Sequence, residues 1–590
     1  MDSTTKNLWC WAGRGVGPSG FTSQDYRWSE GAIGAVLTSS PRGHRCASAT
    51  SRSGRQRILF EGSIYNAEEL GSALRGSAHA PSPEELTDAS LLLALFLEHG
   101  PGGLNLVNGP FAFVIWDETR QRLSLGRDRF GMNTLFWRED AQGLSMASRM
   151  TPLLAAPGAR RRLDKEGALD FLINGLTDQR ESTLFADIQQ LPAGSVMEFD
   201  LPAWKPGLAA RQIRDWYSLP EPGGVLLSAQ EAVAEFRRLL SDAIRLRWRS
   251  PEPKALLLSG GLDSSAIAGL VATGPSSGPL LQTYKAYFDI PRYDQPECVS
   301  SVVERTGAVH RGISIGPPEL LAYREQLLHA LEQPYERSII SAHWAVCQLI
   351  ATDGIRVTLD GLGADEQLGG YRPWVRSFGP LQRGEDVRGL PFISSSRPPE
   401  SFEQGADLGR LFSWLSRESL DLAIQKITRE NALAIRSFGE LCRYHIRHGA
   451  LPLLLMFNRC IGAAFDQESR SPFMDHRLVE FSLGLGSHHK VVGEQTKYVL
   501  RKAVEDLVPG IVARHVNKES YVDLEVSWLR GSGLEQLRSE AVRTAREWPA
   551  LFSLDAMEVP AEGQEPSRLT LLRLWRITCF GAWARQFGVQ

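Results

Sequence analysis

The chain has 590 residues, long enough for two domains or more. Its 65 basic and 68 acidic residues leave a net charge of −3, so bulk charge implies neither a nucleic-acid partner nor binding to an anionic membrane. No apolar run reaches the roughly 18 residues of a membrane span, and Arg14 with its neighbouring glycines interrupts any apolar core of a signal peptide. Seven cysteines (10, 46, 298, 347, 442, 460 and 579) are odd in number and form no Cys-x-x-Cys pair, which suits a reducing cytosol and a cytoplasmic protein.

In chain order, the Gly/Pro-rich residues 220–224 read as a linker. Ser228-x-x-Glu231 is a capping box that opens a helix with an apolar stripe of Val233, Phe236, Leu240 and Ile244. The arginines between 237 and 249 read as its solvated face. Residues 255–258 read as a buried strand, 259–264 as a tight Gly-rich turn and 265–271 as a helix. A loop of that kind aims backbone N–H groups and a helix N-terminus at one spot, which makes a site for phosphate. No Gly-Lys-Ser/Thr follows the glycines, so it is not the Walker loop. By themselves these six residues also suit an ordinary strand-to-helix turn.

A second apolar strand, residues 356–359, leads into Asp360-Gly361-Leu362-Gly363-Ala364-Asp365-Glu366-Gln367-Leu368-Gly369-Gly370-Tyr371. Asp360, Asp365 and Glu366 gather near its C-terminal end. Ligands of open α/β sheets sit at the C-terminal ends of strands, so two such ends can face one crevice. Mg²⁺ takes one or two carboxylates with phosphate oxygens and water, which makes Asp263 and Asp365 the natural metal pair. Residues 379–406 read as a long irregular loop. Residues 468–480 have too little periodicity to be read alone, and 569–583 read as a buried amphipathic helix closing the domain.

Ser259-Gly260-Gly261-Leu262-Asp263-Ser264 resembles the pyrophosphate-binding loop of ATP pyrophosphatases. Together with 360–371, 468–480, Gly493-Glu494-Gln495-Thr496-Lys497-Tyr498-Val499-Leu500-Arg501 and 514–521, it resembles the synthetase domain of asparagine synthetase and its relatives. The resemblance implies an α/β fold with a C-terminal Rossmann-like ATP-pyrophosphatase domain over 225–590. It implies ATP and Mg²⁺ as cofactors, and a reaction in which a carboxylate is adenylated, pyrophosphate leaves and an amine attacks. It places ATP or pyrophosphate against Ser259, Gly260, Gly261, Asp263, Ser264, Gly361 and Gly363, and Mg²⁺ on Asp263 and Asp365. Lys497 and Lys518 match the family's lysines on the phosphates and the reacting centre, with Lys518 chosen for the tetrahedral intermediate.

Residues 1–215 resemble the same family's glutaminase domain, an N-terminal-nucleophile αββα sandwich, with the chemistry removed. Residues 58–66 and 108–117 resemble its strands, and Arg127-Asp128-Arg129-Phe130-Gly131 follows a short hairpin. A glutaminase of this family needs a free N-terminal cysteine whose α-amine is the base; position 2 is Asp2, and Cys10 serves only after processing. Glu61-Gly62-Ser63 replaces the Asn-Gly-Glu that binds glutamine, although Asp88 stands where the substrate amine is held. The expectation is an inactive glutaminase-like domain.

The amine then arrives on the substrate or as free ammonia. Leu362 stands where asparagine synthetases carry Glu and β-lactam synthetases carry Tyr, and an aliphatic side chain relays no proton. The resemblance that remains is to lasso-peptide cyclases, which close a precursor peptide's N-terminal amine onto an Asp or Glu side chain. Their partners would be a precursor peptide, a leader-peptide protease and a leader-recognition protein. The alternatives are an ammonia- or amine-dependent amidotransferase on a small acid or a sugar, a β-lactam synthetase, or an inactive peptide-binding scaffold.

Overall fold

The computed structural model describes residues 7–13, 26–30, 33–38, 46–140, 143–156, 158–177, 181–203, 211–274, 280–371, 409, 412–431, 435, 437–514, 521–529, 533–554 and 567–590. Asp2, the 379–406 segment and Lys518 lie outside the described residues, and of Cys10 only the backbone is described. The chain divides into two compact units. One comprises Met1–Leu163, Arg180–Leu219 and Leu455–Glu468; the other comprises Asp164–Gln179, Pro220–Leu454 and Ser469–Gln590.

Among the described residues the first unit holds twelve strands: β1 (Asn7–Gly13), β2 (Tyr26–Glu30), β3 (Ile33–Thr38), β4 (Cys46–Thr50), β5 (Gln56–Gly62), β6 (Phe111–Asp117), β7 (Arg122–Arg127), β8 (Phe136–Asp140), β9 (Gly143–Ala147), β10 (Gln189–Gln190), β11 (Ser195–Asp200) and β12 (Arg211–Asp215). They form two six-stranded sheets, ordered β10-β8-β9-β1-β3-β2 and β12-β11-β7-β6-β5-β4. Side chains of a strand alternate between faces. Leu59 of β5 and Val114 and Trp116 of β6 therefore join Trp137, Leu144 and Met146 of the other sheet in one core. Their neighbours Ile58, Phe60, Phe113 and Ile115 face the helix Asp88–His99, through its Leu91, Leu92 and Leu95. This is the sandwich of antiparallel sheets with outer helices that the N-terminal resemblance implies.

The second unit is built on β13 (Lys254–Leu257), β14 (Gln282–Tyr287), β15 (Val309–Ser314), β16 (Val357–Leu359) and β17 (Glu468–Arg470), ordered β15-β14-β13-β16-β17. The pairs β15–β14, β14–β13 and β13–β16 are parallel. Helices Ala229–Trp248 and Leu262–Thr273 cover one face through Phe236, Leu240, Ile244, Ala266 and Ile267. Helix Ile340–Thr352 covers the other, with Val346 and Ile350 against Ala255 and Tyr284. The strand order reverses at β13, which is flanked by β14 and β16, so the crevice at the C-terminal ends of β13 and β16 is the topological switch point.

Local readings meet three corrections. The capping box is present, with Ser228 Oγ accepting from Glu231 N and Glu231 accepting from Ser228 N at 2.9 Å. The arginines of that helix do not all face solvent, because Arg247 is 2 % exposed and donates to Asp475 Oδ2 at 2.9 Å. The helix after the Gly-rich turn starts at Leu262, three residues earlier than the sequence suggests, because Gly261 is already its extended N-cap. The C-terminal helix, Arg568–Phe587, is buried around most of its circumference and has no wide solvent face; Trp575 and Trp583 are almost fully enclosed, and Trp583 Nε1 donates to the Glu332 carbonyl.

Candidate active site

Two glycine-rich loops leave adjacent strands and meet at the switch point. After β13, Gly260 takes φ +89°, a left-handed conformation that only glycine adopts without strain. Ser264 Oγ accepts from Ser259 N at 3.2 Å and lies 3.0 Å from Ser259 Oγ, while Ser259 Oγ accepts from Gly261 N at 3.2 Å. The two serines thus tie the loop to the first turn of its helix, and Asp263 stands in that turn. After β16, Gly363 takes φ +93° and caps the short helix Ala364–Leu368, which carries Asp365. A Cβ on Gly361 would lie 2.9 Å from Asp263 Cβ, so the two loops are in van der Waals contact through a glycine.

Lys497 joins them. Its Nζ lies 2.5 Å from Asp263 Oδ2 and 2.7 Å from Asp365 Oδ1. Lys497 is 5 % exposed and, at φ +54°, holds a backbone conformation uncommon for a side-chain-bearing residue. Gly370 leaves room for the cluster, because a Cβ there would collide with Asp365 Oδ1 and Lys497 Cε. Behind it, burial lowers the pKa of Arg501, partly offset by the pull of Asp263.

The three carboxylates gathered by the sequence separate in space. Asp360 is buried and accepts from Leu362 N at 2.9 Å and Ser471 Oγ at 2.8 Å, so it shapes the loop. Glu366 accepts from Tyr371 OH at 2.6 Å, and burial with the charges of Glu366 and Asp365 holds that phenol well above its usual pKa. Asp365 shares the Lys497 ammonium with Asp263. Residues 468–480 supply the support, with Phe473 O accepting from Gln367 Nε2 and Asp475 pairing with Arg247.

Asp263 and Asp365 are the residues that could hold Mg²⁺. Asp263 Oδ1 is buried without a hydrogen-bond partner among the described residues, which leaves a hard oxygen available to a cation. Among the described residues no group of three or more His, Cys, Asp or Glu could hold a metal. Two carboxylates are a donor set that suits a cation whose remaining ligands are phosphate oxygens and water, the usual state of Mg²⁺ with a nucleotide. Two site residues escaped the sequence reading. Gly370 shows its role only through the packing, and Lys285 donates to the Ser259 carbonyl at 2.6 Å from the neighbouring strand. A lone lysine in the β-rich run 283–288 was the available signal for the latter.

In the first unit, the positions where the family resemblance would place glutamine contacts have internal partners. Arg459 Nη1 lies 3.0 Å from Glu61 Oε1, and Ser63 Oγ donates to Glu468 Oε1 at 2.7 Å. Asp88 accepts from Ile64 N at 3.0 Å. The 127–131 segment is a structural turn: Asp128 accepts from the backbone of Phe130, Met132 and Asn133, and burial raises its pKa.

By its family this chain is an ATP-dependent, AMP-forming carbon–nitrogen ligase that uses ATP with Mg²⁺. The asparagine synthase family model matches residues 235–585 and the glutamine amidotransferase domain model residues 34–205. The chain belongs to the asparagine synthase family. Asparagine synthetase [glutamine-hydrolyzing] 3 of Bacillus subtilis is 28 % identical over 477 residues, covering 77 % of this chain and 73 % of that protein. Amidase chry2 of Gibberella zeae is 24 % identical over 578 residues, covering 85 % and 83 %. Asparagine synthetase [glutamine-hydrolyzing] 1 of Bacillus subtilis is 23 % identical over 514 residues, covering 82 % and 78 %. Among the described residues no helix is long and apolar enough to cross a membrane.

Proposed function

We propose that this enzyme is a lasso-peptide macrolactam synthetase, acting in the cytoplasm on a precursor peptide released by a leader-peptide protease with a leader-recognition protein. It adenylates an Asp or Glu side chain and closes it onto the peptide's N-terminal amine. The observation that carries the reading is the contrast between the two sites. The Asp263–Lys497–Asp365 cluster is intact, while Glu61 and Ser63 are engaged by Arg459 and Glu468 rather than open to glutamine. The amine must then come from elsewhere, and a peptide supplies its own. Leu362 is half-buried between the two loop glycines and brings neither a carboxylate nor a phenol to the crevice.

Bound Mg²⁺ supplies charge neutralisation on the pyrophosphate. The chain's part is positioning. The Ser259–Ser264 loop offers backbone N–H groups to phosphate, and Asp263 and Asp365 are the proposed metal ligands. Lys497 is proposed to hold the charge that builds on the phosphates as the substrate carboxylate attacks the α-phosphorus and pyrophosphate leaves. In the second half-reaction the amine nitrogen bonds to the adenylated carbonyl carbon, AMP leaves with its bonding electron pair, and the nitrogen loses one proton. Lys518 is assigned to the oxyanion of that step.

Two outcomes test these assignments. Lys518→Ala is expected to slow ring closure by about 10²- to 10³-fold, the usual effect of removing one oxyanion contact, while leaving pyrophosphate exchange nearly intact. Equal loss in both steps would make Lys518 a plain phosphate ligand. No glutamate is expected from glutamine above the background of a heat-inactivated sample, and measurable release would restore the glutaminase. The reading as a whole is tested by exchange of labelled pyrophosphate into ATP with a panel of linear peptides, amino acids and sugar acids. Exchange confined to peptides supports it, and exchange with aspartate or a sugar acid alone contradicts it.

A further inference from the structure

Lys285 lies on β14, beside the loop that follows β13, and is 5 % exposed. Its Nζ donates to the Ser259 carbonyl at 2.6 Å. A trans peptide points its C=O and the next N–H in opposite directions. Holding the Ser259 carbonyl on the β14 side therefore turns the Gly260 N–H the other way. Gly260 is buried and donates to no acceptor among the described residues. Helix Pro296–Thr306 packs against the loop at Gly260, since a Cβ there would meet Val299 Cγ2 at 3.1 Å and Cys298 Cβ at 3.5 Å.

The groups around Lys285 leave its charge directed at the loop. Nζ lies 5.6 Å from the Tyr287 ring centre. Asp294 is the neighbouring carboxylate, and it is engaged by the backbone N–H groups of Phe288 at 2.7 Å and Ile290 at 2.9 Å. His310 has both ring nitrogens against hydroxyls, Thr283 Oγ1 at 2.9 Å and Tyr287 OH at 2.8 Å. Burial, opposed in part by Asp294 and Cys298, lowers the Lys285 pKa to about 8. A lysine kept in so unfavourable an environment, with a backbone carbonyl as its acceptor, costs stability that a neutral residue there would not.

We propose that Lys285 is a positioning residue for pyrophosphate: by gripping the Ser259 carbonyl it fixes the orientation of the following peptide, so that the buried Gly260 N–H faces the anion. This inference rests on the reading of the Ser259–Ser264 loop as the phosphate site. Losing one such charge-assisted contact is expected to weaken inorganic pyrophosphate binding, measured by titration calorimetry with Mg²⁺ on the full chain, by about 10- to 100-fold in Lys285→Met. AMP binding should change less than about threefold, because the loop's grip is on the pyrophosphate, and Lys285→Arg should retain most of the pyrophosphate affinity. Unchanged pyrophosphate affinity in Lys285→Met overturns the proposal, and so does an equal loss in the Met and Arg variants, which would make the effect one of packing. Should Lys285→Met fail to fold, Lys285→Gln, one bond shorter than lysine, is judged by the same criteria. If the wild-type protein binds neither pyrophosphate nor ATP, the phosphate-site reading itself has failed.

Discussion

Asp263→Ala and Asp365→Ala are each expected to abolish pyrophosphate and AMP formation in a protein that remains folded. Each carboxylate is a proposed Mg²⁺ ligand, and the two meet through one ammonium group. With one oxygen ligand removed, the chain would hold the cation less firmly, and a preorganised charge contact of this kind is worth about 10²- to 10³-fold in rate. Losing both the ligand and the geometry of its partner should exceed that for either variant. Circular dichroism and thermal unfolding check the fold. Turnover at the wild-type rate in either variant would remove the metal assignment.

Lys497→Met should be the most destabilising single change in the crevice. Its ammonium is the group between two largely buried carboxylates, and removing the partner of a buried charge typically costs about 3–5 kcal/mol because the remaining charge is left uncompensated. Urea unfolding in a metal-free buffer measures that loss. Mg²⁺ should restore part of it, since a cation can take the place of the ammonium between Asp263 and Asp365, whereas wild-type stability should respond less to Mg²⁺ alone. A variant as stable as wild type without Mg²⁺ would mean that the three groups do not form the cluster in solution. Both half-reactions should also fail in this variant, which separates Lys497 from Lys518.

The parts of this site that the sequence reveals are those written in local chemistry. Gly260 and Gly363 announce turns because their backbones need φ near +90°, and a strand before each turn places both at one edge of a parallel sheet. What stays hidden depends on partners distant in the chain. Lys497 lies 234 residues from Asp263, and only the family resemblance brings it to the phosphates. Arg247 passes for a surface arginine until Asp475, 228 residues on, is seen to bury it. Asp360, Asp365 and Glu366 look like one cluster in sequence. The chain bends from strand into loop and short helix between them, so their side chains leave in different directions, to Ser471, Lys497 and Tyr371. Lys285 is hidden for another reason: its partner is a backbone carbonyl, which no residue pattern encodes.

The substrate is proposed to bring its own amine, and ring closure measures this directly. The enzyme is incubated with ATP, Mg²⁺ and a panel of linear peptides that carry a free N-terminal amine and an Asp or Glu at varied spacing. Mass spectrometry follows the product, with AMP and pyrophosphate counted beside it. The predicted result is a peptide lighter by one water, no longer reactive at its N-terminus, formed with one AMP and one pyrophosphate per ring and unaffected by added glutamine or ammonia. Incorporation of ammonia into a small acid or into the peptide's carboxyl group, with no loss of the N-terminal amine, would contradict it.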